Sequence, residues 1–144
     1  MKMLLIGFFV CSTIAVQAQK LKLSEVPAAA KAAFAKANPN TAGEWEKENG
    51  SYEVNFKKDG KKMSYVINKS GSILETESEM DVNELPATVK TYVKQYKKGA
   101  VPKEAEKIVK ANGETSYEVK VKNKELVFDS NGKMIKEEVE KYKR

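Results

Sequence analysis

Glutamate recurs at every second position in two short runs, Glu44, Glu46 and Glu48 and then Glu75, Glu77 and Glu79. Alternate residues of an extended strand share a face, so each run would present three carboxylates side by side. Two chemistries use such a set: proton transfer by a carboxylate pair and coordination of a hard cation. Calcium requires about six to eight oxygen ligands on a shaped loop, and lysines lie beside or near both runs, so each reads first as a charge-balanced, solvated strand face. Asp129-Ser130-Asn131-Gly132 has part of the composition of a calcium loop, but no distal glutamate follows at the required spacing. Its counterpart Asn68-Lys69-Ser70-Gly71 is a turn, and both segments are read as turns.

Nucleophilic catalysis lacks a base. The chain contains no histidine, so Ser64, Ser70, Ser72, Ser78, Ser116 and Ser130 have no imidazole to activate them. Neither Gly-x-Ser-x-Gly nor Ser-x-x-Lys stands at a strand-to-helix turn, and there is no glycine-rich phosphate loop. The expectation is a protein without catalytic residues, cofactor or metal centre.

The opening MKMLLIGFFVCSTIAVQAQ places Lys2 before an apolar run and then small residues up to Ala18. This is the pattern of a secretory signal peptide cleaved after Ala18. A retained membrane helix would need about 20 apolar residues, and the run breaks at Ser12, Thr13 and Gln17. Cys11, the only cysteine, would leave with the signal, so the mature chain could form no disulfide. Export without disulfides points to the periplasm of a bacterium. Residues 19–144 are enough for one domain with a core of its own. The formal charge of +6 falls by one with Lys2, and lysines and glutamates interleave throughout. That mixture excludes a nucleic-acid patch, which would cluster basic residues with stacking aromatics. No span of the mature chain is expected to enter a membrane, and Lys141 to Arg144 form a short basic tail.

The elements that would position these groups come in two similar sets. Glu25-Val26-Pro27-Ala28 and Glu84-Leu85-Pro86-Ala87 each open a stretch with helical apolar spacing. The apolar residues are Val26, Ala30, Ala33, Phe34 and Ala37 in the first and Leu85, Val89, Tyr92, Val93 and Tyr96 in the second. Ser24 and Asn83 are read as N-caps, with Asn38-Pro39-Asn40 and Lys98-Gly99 as stops. After each helix the period falls to two. Trp45 marks a first strand, and Asn49-Gly50 turns into Tyr52, Val54 and Phe56. Asp59-Gly60 turns into Met63, Tyr65 and Ile67, and Ser70-Gly71 leads to Ile73 and Leu74. The second set runs through Ile108 or Val109, Asn112-Gly113, Tyr117 to Val121, Leu126 and Phe128, and Asn131-Gly132 before Met134 and Ile135. "SYEVNF" and "SYEVKV" are then the second strand of each set. The expected fold is α+β: a tandem repeat of one helix plus a four-stranded antiparallel meander, repeat one over 23–80 and repeat two over 82–140. The copies share a core, both helices pack on one face of an extended antiparallel sheet, and residues 79–82 connect the copies.

The signal, the paired "[Val/Leu]-Pro-Ala" helix openings, "EWEKENGSYEVNFKKDGKKMSYVINKSGSILE" and "YEVKVKNKELVFDSNGKMIKEE" together resemble the PepSY-like, beta-lactamase-inhibitor-like family of exported proteins, common in Bacteroidetes. The resemblance implies helices on one side of an antiparallel sheet. In the streptomycete inhibitor that gives the family its name, a concave sheet face clasps a beta-lactamase, and PepSY modules are associated with restraint of peptidases. The second copy here lacks a tryptophan at the place of Trp45, and no lactamase-binding residue is carried over by motif.

The side chains expected on the open sheet face are Glu53, Asn55 and Lys57, then Glu118, Lys120 and Lys122, with Val66 and Val127 on adjoining strands. Trp45, of a type favoured at binding hot spots, joins the candidate set, although a tryptophan on a sheet facing a helix belongs more often to the core. The leading expectation is a non-enzymatic binding module for an exported protein, an inhibitor or modulator of an envelope peptidase or other enzyme. The alternative is an envelope sensor or buffer for a small ligand or ion, using the acidic strand faces.

Overall fold

The computed structural model describes residues 19–96 and 99–139. The signal segment with Cys11 and its cleavage point, Lys98 and the basic tail lie outside the described residues, as does the side chain of Glu48. The chain begins with β1 (Gln19–Leu21), a 3-10 turn (Leu23–Glu25) and α1 (Ala28–Ala37). Four strands follow: β2 (Glu44–Glu48), β3 (Ser51–Lys58), β4 (Lys61–Ile67) and β5 (Ile73–Met80). A second 3-10 turn (Val82–Glu84) and α2 (Ala87–Gln95) precede β6 (Pro102–Lys110), β7 (Thr115–Val121), β8 (Lys124–Asp129) and β9 (Met134–Val139). All nine strands form one antiparallel sheet in chain order. Beyond the eight expected strands, β1 adds an edge by pairing Leu21 with Trp45.

The helix starts differ from the sequence expectation. Ser24 and Asn83 lie inside the 3-10 turns, and the helices begin at Ala28 and Ala87. Proline disfavours helical backbone in the residue before it, and Val26 and Leu85 accordingly have ψ 131° and 145°. Asp81 caps the second turn, its Oδ1 accepting from the Asn83 amide at 2.8 Å. In place of a connector over 79–82, β5 runs to Met80 and leaves only Asp81 before the turn.

Both helices pack on one face of the sheet, each over its own buried cluster. Under α1, Phe34 meets Trp45, Phe56 and Tyr65 edge-on at centroid distances of 5.8, 5.1 and 6.3 Å. Under α2, Leu85, Val89 and Val93 cover Val119, Val121, Leu126 and Phe128. The expected shared core is thus two cores. The reason lies in the middle strands, whose residues on the helix side include Thr76, Ser78 and Lys107. Polar side chains there separate the clusters while the β5–β6 ladder keeps the sheet continuous. Ala37, expected on the apolar helix face, is exposed.

Two turns hold the helices against the strand ends. Asn68 Oδ1 accepts from the amides of Ser70 and Ser72, and Asp129 Oδ1 from those of Asn131 and Lys133. The Asp129 loop is therefore a turn in which its carboxylate serves the backbone. Gly71 has φ +89°, and a Cβ there would lie 2.7 Å from the Ala29 carbonyl oxygen. Gly50, in the tight β2–β3 turn, has φ +82° and nothing within 4 Å of such a Cβ. Both Gly71→Ala and Gly50→Ala should carry the left-handed backbone penalty of about 1–2 kcal/mol. Only Gly71→Ala also forces the turn off α1, so in urea melts it should lose about 1 kcal/mol more than Gly50→Ala. Equal losses would show that the turn does not clamp the helix.

Candidate functional site: the open face of the sheet

The sheet face opposite the helices is built by lateral registration of alternating side chains. One row across the strands is Lys20, Glu46, Glu53, Val66, Glu75 and Lys110. The next is Asn55, Ser64, Glu77, Ile108 and Ser116. A third is Glu79, Glu106, Glu118, Val127 and Lys136. The two glutamate runs, separate in sequence, therefore share one face with Glu53 and Glu118.

The centre of this face is crowded with acids. Ser64 Oγ donates to Glu77 Oε2 at 2.7 Å, and the Lys62 amide donates to Glu79 Oε2 at 3.0 Å. Burial pushes the Glu77 carboxyl up to about 7; the Ser64 hydrogen bond opposes this, and the carboxylates of Glu53, Glu106 and Glu75 add to it. Burial likewise raises Glu118 to about 8, reinforced by Glu125, Glu106 and Glu77 and opposed by Lys120. Burial acts to lower the Lys120 ammonium, but Glu106, Glu104, Glu118 and Glu125 together outweigh it and hold the ammonium above its ordinary value. Lysines line the margins: Lys20 lies 3.7 Å from Glu44, Lys120 3.4 Å and Lys62 3.8 Å from Glu104, and Lys136 2.9 Å from Glu138. Among the described residues no group of three or more acidic, histidine or cysteine side chains is arranged to hold a metal ion.

Seven of the nine candidate residues fall on this face: Glu53, Asn55, Lys57, Val66, Glu118, Lys120 and Val127. Two do not. Trp45 is only 5 % exposed and packs edge-on to Phe34 beneath α1. Lys122 lies beyond the end of β7, in the turn to β8 with φ 58°, so strand alternation no longer applies to it. Sequence reasoning did not place Glu75, Glu77, Glu106 and Ile108 with the candidate set. Their alternation was visible, but their neighbours depend on the β5–β6 register. Ile108 faces the acids and Val109 the helix side, a choice the adjacent apolar pair left open.

Comparison with known proteins adds the family. A sequence model described as "Putative beta-lactamase-inhibitor-like, PepSY-like" matches residues 12–75 and again 50–136. The chain belongs to this PepSY-like family. No curated protein matches it. Among solved structures, a "BLIP-like protein" from Bacteroides fragilis is similar at 25 % identity and TM-score 0.59, over 78 % of this chain and 86 % of that one. A DUF2874 family protein from Bacteroides uniformis shares the fold at 16 % identity and TM-score 0.68, with coverage of 82 % and 92 %. A protein from Bacteroides eggerthii described as one of the "putative periplasmic proteins" does so at 14 % identity and TM-score 0.70, with coverage of 79 % and 88 %. The PepSY-like family is named for an inhibitor, a non-catalytic class. Among the described residues of this PepSY-like chain no helix is long and apolar enough to cross a membrane.

Proposed function

We propose that the protein is a non-enzymatic module of the periplasm, exported by a signal peptide over residues 1–18, that binds an exported protein on the open face of its sheet. Such a partner, an envelope peptidase or another exported enzyme, would be inhibited or modulated by steric occlusion. The observation that carries this reading is the face itself. Both helices pack on the other side, while the open side mixes acids with Val66, Ile108 and Val127 in register. A recognition surface uses both kinds of group, and here single apolar residues are set among the acids. The family name and the periplasmic description of the neighbour from Bacteroides eggerthii support the compartment and the class.

We further infer that residues 23–80 and 82–140 are two copies of one unit. The shared order of 3-10 turn, helix and four strands supports this.

The test is site-specific photo-crosslinking in the native periplasm. A benzophenone side chain at Val66 or Val127 should trap one envelope protein identifiable by mass spectrometry. The same probe at Lys36 of α1 or Lys94 of α2 should not trap it. Identical capture from both faces, or none from the open face, would remove the proposal.

A further inference from the structure

Charge is segregated in this molecule. The whole chain is formally +6, and the helices opposite the open face carry Lys31, Lys36, Lys90 and Lys94. The centre of the open face instead gathers Glu46, Glu53, Glu75, Glu77, Glu106 and Glu118, with Glu79 at its edge. Of the flanking lysines, Lys62 and Lys120 share Glu104, and Lys110 is paired with Glu114 at 3.0 Å.

Glu46 provides an independent indication. It is only 6 % exposed, lies on this face between Lys20 and Glu53 in the strand register, and among the described residues no hydrogen bond or ion pair holds its carboxylate. Its carboxylate oxygens keep a little access to water, so an incoming cation can reach an acceptor that no donor of the chain occupies. The apolar residues are interleaved at the right scale to accompany that cation. Val66 stands between Glu53 and Glu75, Ile108 between Glu77 and Ser116, and Val127 between Glu118 and Lys136. Lysine and arginine lay their aliphatic stems on apolar surface and extend the charged head to a carboxylate. A bare metal ion would gain nothing from the valines and isoleucine, and the carboxylates do not converge on one point.

We propose that the occupant of the open face is a cationic polypeptide segment, a strand or loop of the exported partner in which lysine or arginine alternates with aliphatic residues. This deepens the binding-module reading and rests on it. Charge complementarity would set the partner's orientation and speed its encounter, while Val66 and Val127 supply apolar contact between the acids. Binding of cations beside Glu77 and Glu118 favours their ionised forms, so association near pH 7 should release protons. The charged and titratable groups surrounding those two are Glu53, Lys62, Glu75, Glu79, Glu106 and Lys110 around the first, and Glu77, Glu104, Glu106, Lys120, Glu125 and Lys136 around the second.

The experiment uses the mature chain and a fluorescein-labelled peptide of sequence Lys-Val-Lys-Ser-Lys-Val-Lys-Ser, with the Glu-for-Lys peptide as control, at pH 8 and low salt. The basic peptide should bind and the acidic one should not. Its affinity should fall about tenfold in the combined variant Glu75→Gln, Glu106→Gln and Glu118→Gln, and again in high salt. Glu84→Gln, in the second 3-10 turn and off the sheet, should bind as the wild type does. Thermal melts establish that the combined variant is folded, and the single variant Glu106→Gln, expected to weaken binding about threefold, carries the test if it is not. Calorimetry near pH 7 in buffers of different ionisation enthalpy should reveal the released protons. Equal binding of the two peptides, or undiminished binding by folded variants, would overturn the inference. If neither peptide binds while Val66 and Val127 still trap one partner, the cationic-segment inference falls and the binding module stands. If both experiments are blank, both fall.

Discussion

Phe128→Ala should lower the stability of the fold by about 3–5 kcal/mol, the range for removing a large aromatic side chain from a packed core. Phe128 is fully buried. Across the sheet it lies between Tyr117 of β7 and Met134 of β9, and Tyr92 of α2 meets it edge-on at 5.3 Å. Truncation would remove both the buried area and the ring contact that ties α2 to the sheet. A domain of this size is stable by about 5–15 kcal/mol, so the loss would be a large fraction of the whole. The measurement is urea unfolding followed by far-ultraviolet circular dichroism and by the fluorescence of Trp45. Trp45 lies in the other core, beneath α1. The β5–β6 ladder, from Glu75 opposite Lys110 to Met80 opposite Ala105, makes the sheet a single hydrogen-bonded body. Both probes should therefore shift together to the same lower midpoint. A tryptophan transition left in place while the dichroism midpoint falls would show that the cores unfold separately. A midpoint unmoved in both would show that the site is not packed as described.

Much of this architecture was visible in the residues because local signals agree with the global fold. The change of period after each helix, the Asn-Gly and Asp-Gly pairs and the recurrent proline at the helix openings each have one physical reading, and the strands follow them. The errors occurred where a tertiary or neighbouring effect decides. Proline pushed the helix starts downstream of the polar residues read as caps. β1 is only Gln19–Leu21, too short to show a period, and owes its existence to the free edge of β2. The two cores could not be told from one because the separation depends on which face Thr76, Ser78 and Lys107 take across β5 and β6.

The open face was legible within each strand and illegible between strands. Alternation placed Glu53 with Asn55 and Glu118 with Lys120, but it carries no information on which strand lies opposite which. That Glu77 sits beside Ser64 and Ile108 depends on register, set by turn geometry and core packing together. Trp45 was placeable from the start. It lies between Glu44 and Glu46, so a face carrying those glutamates excludes it. The tryptophan instead packs opposite Val54, where the corresponding partner of Val119 is the small Ala105.

The same crowding predicts an inverted pH dependence. Burial places the Glu77 carboxyl near 7 and the Glu118 carboxyl near 8, against ordinary values near 4.5. Between about pH 4.5 and 8 the folded chain then holds more protons than the unfolded chain. Stability is fully present below the unfolded values and falls as the pH rises through the folded ones. A tenfold difference in proton affinity between the folded and unfolded chains corresponds to about 1.4 kcal/mol, but these groups lie on a face open to water, so the combined loss from pH 5 to pH 8 is set at about 2 kcal/mol. At lower pH the exposed Glu114 works in the opposite sense, because the hydrogen bond and charge of Lys110 hold its carboxyl down. The stability maximum should accordingly lie near pH 5. Glu118→Gln removes one of the two titrations while leaving a group of nearly the same shape. It should be neutral at pH 5, stabilise by about 1 kcal/mol at pH 8, and flatten the profile further when combined with Glu77→Gln, since Ser64 can still donate to the amide oxygen. Chemical denaturation at successive pH values measures this directly. A profile that rises from pH 5 to 8, or a Glu118→Gln variant that destabilises equally at both, would mean that the central glutamates are ionised and compensated in the free protein. The face would then be balanced within the chain, and the electrostatic reason for a cationic occupant would disappear with it.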